Sequence, residues 1–422
     1  MLEHKEIKKG KNNKPARQHF ILDVKDYLDL NYEFRRNDLT MEIEVKPLDE
    51  DTFKVVDESI LNSIWIQLQL DGFKIAEKLF PKILNSDLFR SYNPLSEYIN
   101  TLPKCDGKTD YIGQLAKTVT MSKININSIN EQDLWRSFLE KWLVGSVATA
   151  LGKGVNHLCL ILVGGQGIGK TTWLNKLCPE PLKDFLVCSH INPSLTDTNT
   201  CNFLAEKWFV NIDDQLETIF GKDFNSMKAI ITAPFVTNRK TWHRLTKKRK
   251  RVCSFMGSVN NPKFLTDAEN RRYLVFTAKD INYCHEVDMA KVWAQAHSLL
   301  TNGYNYWFTT EEMKQLNKVN EIYRQVSLEE EWLMKLYDKC EPSNSKAVFA
   351  MPSEILTRLN AFSGLKLSQK KLCVAMDRLG YSKISKRVNG QPRNVFPVIE
   401  RSDYEEKEYQ SQLRKEIEKD QS

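Results

Sequence analysis

The stretch 158–172, LCLILVGGQGIGKTT, constrains this chain more than any other. Residues 158–163 form an apolar run with the length and composition of a buried strand. Gly164-Gly-Gln-Gly-Ile-Gly-Lys-Thr171 then fits G-x-x-x-x-G-K-[ST] without a mismatch, and 172–177 can begin a helix. Strand, glycine loop and helix together are the setting of a P-loop. In that reading the backbone of Gly164, Gly165, Gln166, Gly167, Ile168 and Gly169 turns its N–H groups around a phosphate chain, with Thr172 next to it. Lys170 supplies a point charge to the β- and γ-phosphates, and the Thr171 hydroxyl binds Mg²⁺. The nucleotide expected is ATP.

Three later landmarks extend this site. Lys207-Trp-Phe-Val-Asn-Ile-Asp-Asp214 is an apolar run ending in two acids. Asp213 would hold Mg²⁺, and Asp214 would orient or deprotonate the attacking water. Phe255-Met-Gly-Ser-Val-Asn260 is again strand-like and ends in a polar residue. Asn260 suits a contact to the γ-phosphate and the water; the alternative is an Asn-Asn-Pro turn. Arg271 and Arg272 open another strand-like run. In a ring ATPase such an arginine reaches the neighbouring subunit's γ-phosphate, and the alternative is a surface pair.

Between the first two of these landmarks lies the densest basic run: Arg239, Lys240, Arg244, Lys247, Lys248, Arg249, Lys250 and Arg251, with His243 and Trp242 interleaved and no acid inside it. It suits a loop or hairpin that binds nucleic-acid phosphates, with Trp242 free to stack on a base. Contacts of that type carry little sequence information, and a solvated loop is the alternative.

Composition bounds the rest. With 422 residues, 41% hydrophobic and 27% charged, the chain is an ordinary globular protein with room for two or three domains. No apolar run approaches the roughly 20 residues of a membrane span, and the basic N-terminal stretch lacks the apolar core of a secretory signal. Nine cysteines occur singly, without a C-x-x-C pair, which points to free thiols in a reducing, cytoplasmic setting rather than a zinc site or disulfides. The net charge of +7 is mild, so its distribution matters more than its sum.

The expected domains are a basic disordered arm over 1–18, a mostly helical domain over 19–155, and an ATPase core over 156–280. A helical lid or collar over 281–340, a small module over 345–402 and a charged tail over 403–422 follow. Helices are expected at 59–70, 72–84 and 134–151, the last with Asp133 as N-cap. The small module has two helical stretches and a hairpin around Asn389-Gly390, the pattern of a winged helix, which binds DNA or mediates protein contacts.

Taken together, these landmarks resemble the virulence-associated protein E family. That family belongs with the superfamily 3 helicases and poxvirus-type primase-helicases of phages and mobile elements. The likeness covers 93–276 and extends beyond the glycine loop. Asn93-Pro-Leu-Ser-Glu-Tyr-Ile-Asn-Thr-Leu-Pro-Lys-Cys-Asp-Gly107 is similar to the family's "P-x-x-x-Y-L … W-D-G", with Cys105 where Trp is usual. The loop has its "G-x-Q-G-x-G-K-[ST]" form, Phe255–Asn260 resembles "F-x-G-[ST]-x-N", and 264–273 resembles "F-L-x-D-x-x-G-N-R-R-F" with Glu269 in place of the glycine. Asn211 stands where members often carry an acid, and the first ninety residues hold no primase site.

The resemblance implies an α/β fold: a P-loop AAA+ (superfamily 3 helicase-like) core with a mostly helical N-terminal domain and a C-terminal winged-helix-like domain. It implies a ring ATPase, a hexamer, that uses ATP and Mg²⁺ to move along single-stranded or forked DNA beside a separate primase or other replication proteins. Two other readings stay open: an ATP-switched DNA-binding initiator or replication-interference protein that never unwinds DNA, and a P-loop kinase acting on a small molecule.

Overall fold

The computed structural model describes residues 13–123, 130–219, 221–238, 246–265, 270–388 and 391–401. The chain divides into two compact units between Tyr323 and Arg324. No described helix is long and apolar enough to cross a membrane.

The first unit begins with α1 (Asn13–Asn31) and a sheet of β1 (Tyr32–Asn37), β2 (Ile43–Pro47) and β3 (Lys54–Val55). Helices α2 (Glu58–Leu70) and α3 (Phe80–Leu84) precede its fourth strand, β4 (Arg90–Tyr92), and the strand order is β3-β2-β1-β4. A mostly helical segment with one short strand-like alternation, Met41-Glu-Ile-Glu-Val45, is the expectation from sequence, and β2 overlaps that alternation. The strands form because Phe34, Ile43 and Val45 bury one face against α1 and α2. Arg35 ion-pairs with Glu44 at 2.7 Å, and the Tyr92 hydroxyl donates to the same carboxylate. The helix expected over 72–84 shrinks to α3. Gly72 takes φ +90° as the chain leaves α2, a conformation that ends a helix, and Pro81 sits at the start of α3.

Helices α4 (Pro94–Thr101) and α5 (Tyr111–Ala116), strand β5 (Val119–Met121) and helix α6 (Glu131–Ala150) lead into the central sheet. Asn130 caps α6, accepting from the Gln132 N–H at 3.1 Å; Asp133 lies inside its first turn. Then follow β6 (Cys159–Val163), α7 (Lys170–Lys176), β7 (Leu186–Cys188), α8 (Thr198–Glu206), β8 (Phe209–Asn211), α9 (Gln215–Thr218) and α10 (Gly221–Thr232). A hairpin of β9 (Phe235–Asn238) and β10 (Lys247–Lys250) precedes β11 (Ser254–Val259), β12 (Tyr273–Ile281), α11 (Met289–Thr301) and α12 (Thr310–Glu321).

The central sheet runs β5-β12-β6-β11-β8-β7, with β12, β6, β11, β8 and β7 mutually parallel and β5 antiparallel at the edge. Strand β6 lies inside it and is buried on both faces, which is why its sequence is continuously apolar rather than alternating. Leu160 and Leu162 join one core with Trp135, Phe138 and Trp142 of α6 and Trp293 of α11. Cys159, Ile161 and Val163 join the other, with Val210, Phe255, Val275 and Met227. The helices expected as one collar over 281–340 therefore divide: α11 and α12 contribute to these cores.

The second unit contains α13 (Leu328–Leu336), β13 (Tyr337–Lys339), β14 (Val348–Ala350), α14 (Pro352–Ser363), α15 (Gln369–Leu379), β15 (Ile384–Val388) and β16 (Gln391–Glu400). Strand β16 pairs antiparallel with β13, β14 and β15. Its core gathers Leu333, Ile355, Leu359, Leu372, Met376, Phe396 and Val398. Glu330 is buried and ion-paired with Arg324 at 2.6 Å.

Candidate functional site

Strands β6, β8 and β11 end side by side, and their parallel register brings the sequence landmarks together. Val163 pairs with Val259, so the loop after β6 and the residues after β11 emerge at the same end of the sheet. Asn211 pairs with Met256, which places Asp213 and Asp214 there too.

The loop depends on its glycines. Gly167 and Gly169 adopt φ +83° and +90°, where other residues are strained. A Cβ on Gly164 would meet the Ala278 carbonyl at 2.9 Å. Helix α7 starts at Lys170, two residues before the sequence expectation.

Lys170 is 6% exposed, and its ammonium donates to the carbonyls of Gly164 and Gly165, each at 2.8 Å, and to Asn260 Oδ1 at 2.9 Å. Burial lowers its pKa, against the opposing pull of Asp214, Asp213 and Glu217. Thr171 Oγ1 donates to Asp213 Oδ2 at 2.9 Å. Asn260 Nδ2 donates to Asp214 Oδ1 at 3.2 Å. Five residues from three separate stretches, Lys170, Thr171, Asp213, Asp214 and Asn260, thus form one hydrogen-bonded cluster.

Two members of the cluster have no role in the sequence reading, although Ser258 stands at the [ST] of "F-x-G-[ST]-x-N". Ser258 is buried, lies 3.3 Å from Thr171 Oγ1 and donates to Asp213 Oδ1. Glu217, in α9, accepts from the backbone N–H groups of Asn260 and Asn261, the second at 2.9 Å. Asp214 sits at φ +52°, in the left-handed region, just before α9. Its N–H donates to the Ser258 carbonyl at 3.0 Å. Desolvation raises the Asp214 pKa, and the neighbouring charges of Asp213 and Glu217 add to it.

The chemistry of this donor set fits a nucleotide with a hard cation. Glycines in left-handed backbone open a loop at a helix N-terminus, a half-buried hydroxyl and carboxylate offer hard oxygens, and one ammonium projects among them. Lys170, Thr171 and Asp213 would hold the phosphates and the ion.

Arg271 and Arg272 lie elsewhere. They precede β12, whose Tyr273 pairs with Cys159 at the start of β6. At about 3.3 Å per residue they stand roughly 20 Å from the glycine loop along the strands. There they line a cavity of about 620 Å³ with Lys153, His157, Tyr306 and the exposed Trp307.

The basic run splits. Arg239, Lys240, Trp242, His243 and Arg244 fall outside the described residues. Lys247, Lys248 and Lys250 are exposed on β10. Arg249 and Arg251, expected to grip nucleic acid, instead turn into the protein. Arg249 bonds to Glu206 Oε1 at 2.8 Å, Asn202 Oδ1 at 2.8 Å and the Leu39 carbonyl at 3.1 Å. Arg251 is 1% exposed and donates to the carbonyls of Ile230, Ile231 and Asn156. Guanidinium forks suit such fixed acceptors better than ammonium groups do, so the arginines of this stretch point in and the lysines point out.

The model of the virulence-associated protein E-like domain matches residues 108–325, which include the whole cluster. Three solved structures of the NrS-1 C-terminal region are similar to this chain. The apo structure has 12% identity, covers 89% of this chain and 98% of that one, and gives a TM-score of 0.47. Two A-form apo structures have the same coverages, identities of 12% and 13%, and TM-scores of 0.44 and 0.45. No curated protein matches the chain.

Proposed function

The chain belongs to the virulence-associated protein E-like family, and on that premise we propose that the cluster around Lys170 binds ATP with Mg²⁺ and hydrolyses it to drive movement on DNA. The observation that carries this is the convergence of Lys170, Thr171, Asp213, Asp214 and Asn260 at one end of three parallel strands. The strand order β5-β12-β6-β11-β8-β7, with the glycine loop after a central strand, is consistent with a P-loop AAA+ core. The helices and β15–β16 hairpin of the second unit suit a winged-helix-like module.

Each residue then has a task. Lys170 exchanges its loop carbonyls for phosphate oxygens and spreads the charge that develops on them. Thr171 and Asp213, already bonded to each other, hold the ion's position, with Ser258 fixing the carboxylate's second oxygen. Mg²⁺ held by Thr171 and Asp213 would supply neutralisation of phosphate charge. Asp214 accepts the proton of the attacking water, and Asn260, bonded to both Asp214 and Lys170, aligns that water with the terminal phosphate. Glu217 holds the backbone of Asn260 in place. Glu217→Ala is expected to lower kcat by about tenfold to a hundredfold through misalignment, with KM for ATP little changed. A fall in ATP affinity with kcat intact would contradict that role.

The arginine pair supports a ring. At the far end of β12, neither Arg271 nor Arg272 can reach its own chain's loop, so action on a γ-phosphate requires a neighbour in a head-to-tail assembly, a hexamer in this reading. The exposed Lys247, Lys248 and Lys250 leave the β9–β10 hairpin able to meet a phosphate backbone.

The test is ATP hydrolysis by the purified protein with and without single-stranded DNA, beside Lys170→Ala. Stimulation by DNA, and loss of the rate in Lys170→Ala, are expected. A basal rate that DNA leaves unchanged would favour the ATP-switched initiator over the translocase.

A further inference from the structure

We infer that Tyr283 forms the nucleobase platform of this site, an inference that rests on the reading of the glycine loop as a nucleotide-binding loop. Tyr283 follows β12 and is 42% exposed. Its ring lies directly over Gly169: a Cβ at that glycine would collide with Cδ1, Cγ and Cε1 of the tyrosine. Gly169 is the last residue before α7 and has φ +90°.

The position is meaningful because of where a nucleotide can lie. Its phosphates occupy the loop, and its ribose and base must leave past the loop's rim. Tyr283 stands on that rim, at the start of α7. An exposed aromatic face beside a phosphate loop offers a base what single-stranded nucleic-acid sites offer, a flat surface to stack on.

The platform is held in advance. The Asn282 N–H donates to the Thr118 carbonyl at 2.8 Å, and the Tyr283 N–H donates to the Ile281 carbonyl at 3.1 Å. Thr118 in turn accepts from Trp173 Nε1 of α7 at 2.7 Å. Two residues beyond Tyr283, the His285 carbonyl accepts from the Lys176 ammonium in the last turn of α7. The segment carrying Tyr283 is therefore tied to the middle and the last turn of the helix that begins at the loop. Preorganisation of this kind lets a contact add to affinity without the cost of ordering the backbone segment that carries it.

The ligand class that follows is a nucleoside triphosphate gripped at both ends, by Lys170 at the phosphates and by Tyr283 at the base. Calorimetric titration with ATP and with inorganic tripolyphosphate separates the two grips, using wild type, Tyr283→Ala, Tyr283→Phe and Lys170→Ala. Tyr283→Ala is expected to weaken ATP binding by about tenfold while tripolyphosphate binding is unchanged, and Tyr283→Phe to bind ATP like wild type. Lys170→Ala is expected to lose both ligands.

If Tyr283→Ala binds ATP as tightly as wild type, or loses ATP and tripolyphosphate equally, the platform is overturned while the phosphate loop stands. Wild-type protein that binds neither ligand overturns the nucleotide-binding reading itself, and the platform with it. The partial exposure of Tyr283 makes the truncation compatible with folding, and an unchanged thermal midpoint verifies that.

Discussion

Asp214→Asn is expected to reduce ATP turnover by about 10²- to 10⁴-fold, the range a positioned general base supplies, while ATP binding persists. Asparagine is the substitution that isolates the proton. Asp214 sits at φ +52°, which asparagine tolerates better than most residues, and its Oδ1 could still accept from Asn260 Nδ2. The capacity to take a proton from water is removed, together with the carboxylate charge that faces Lys170. The pH profile follows from the same environment. Desolvation, with Asp213 and Glu217 nearby, raises the Asp214 pKa above the ordinary aspartate value. The base must be ionised to act, so turnover should fall as pH drops through that raised pKa, at higher pH than for an ordinary aspartate. Steady-state kinetics across pH check both points. An Asp214→Asn protein that turned over ATP at the wild-type rate, with the same acidic limb, would assign the proton elsewhere.

Much of this site was legible because each contributor ends a local pattern. A glycine loop follows one apolar run, two acids follow another, and Asn260 follows a third. Parallel strands in register deliver such ends to one place, so recognising the runs was nearly enough. Ser258 and Glu217 were not legible for the converse reason. The role of Ser258 depends on the pairing of β11 with β6, and that of Glu217 on the turn of α9 toward Asn260, neither of which a one-dimensional pattern contains. The alternation Met41–Val45 marked part of β2, but the rest of the N-terminal sheet escaped because its strands are short, β3 having two residues and β4 three. The basic run misled because a count of charges has no direction. Its described part does carry a period of two, with Arg249 and Arg251 inward and Lys248 and Lys250 outward, visible once β10 is known to be a strand.

That division makes Arg251 a test of packing against charge. Its side chain reaches the carbonyls of Ile230 and Ile231, in the last turn of α10, where backbone acceptors have no partner inside the helix. It also donates through Nη2 to the Asn156 carbonyl at 2.5 Å, just ahead of β6. One guanidinium thus closes a helix end and anchors the approach to the central strand. Burial pulls its pKa below the ordinary arginine value, yet the group stays cationic because that value is so high. Arg251→Met keeps much of the volume but strips the Ile231 and Asn156 carbonyls of their guanidinium donor and leaves the Ile230 carbonyl only the Ala233 N–H, which should cost about 3–5 kcal/mol. Urea unfolding should show a large drop in midpoint for Arg251→Met. Lys248→Ala, at an exposed position, should unfold within about 0.5 kcal/mol of wild type. Binding to a single-stranded oligonucleotide should divide the pair the other way, with folded Lys248→Ala weakened and less salt-sensitive. An Arg251→Met protein of wild-type stability that had lost DNA binding would return this arginine to the nucleic-acid surface. The expected pattern instead makes the charge of 247–251 two devices in one short stretch, arginines that hold the hairpin's base to the core and lysines left over for a partner.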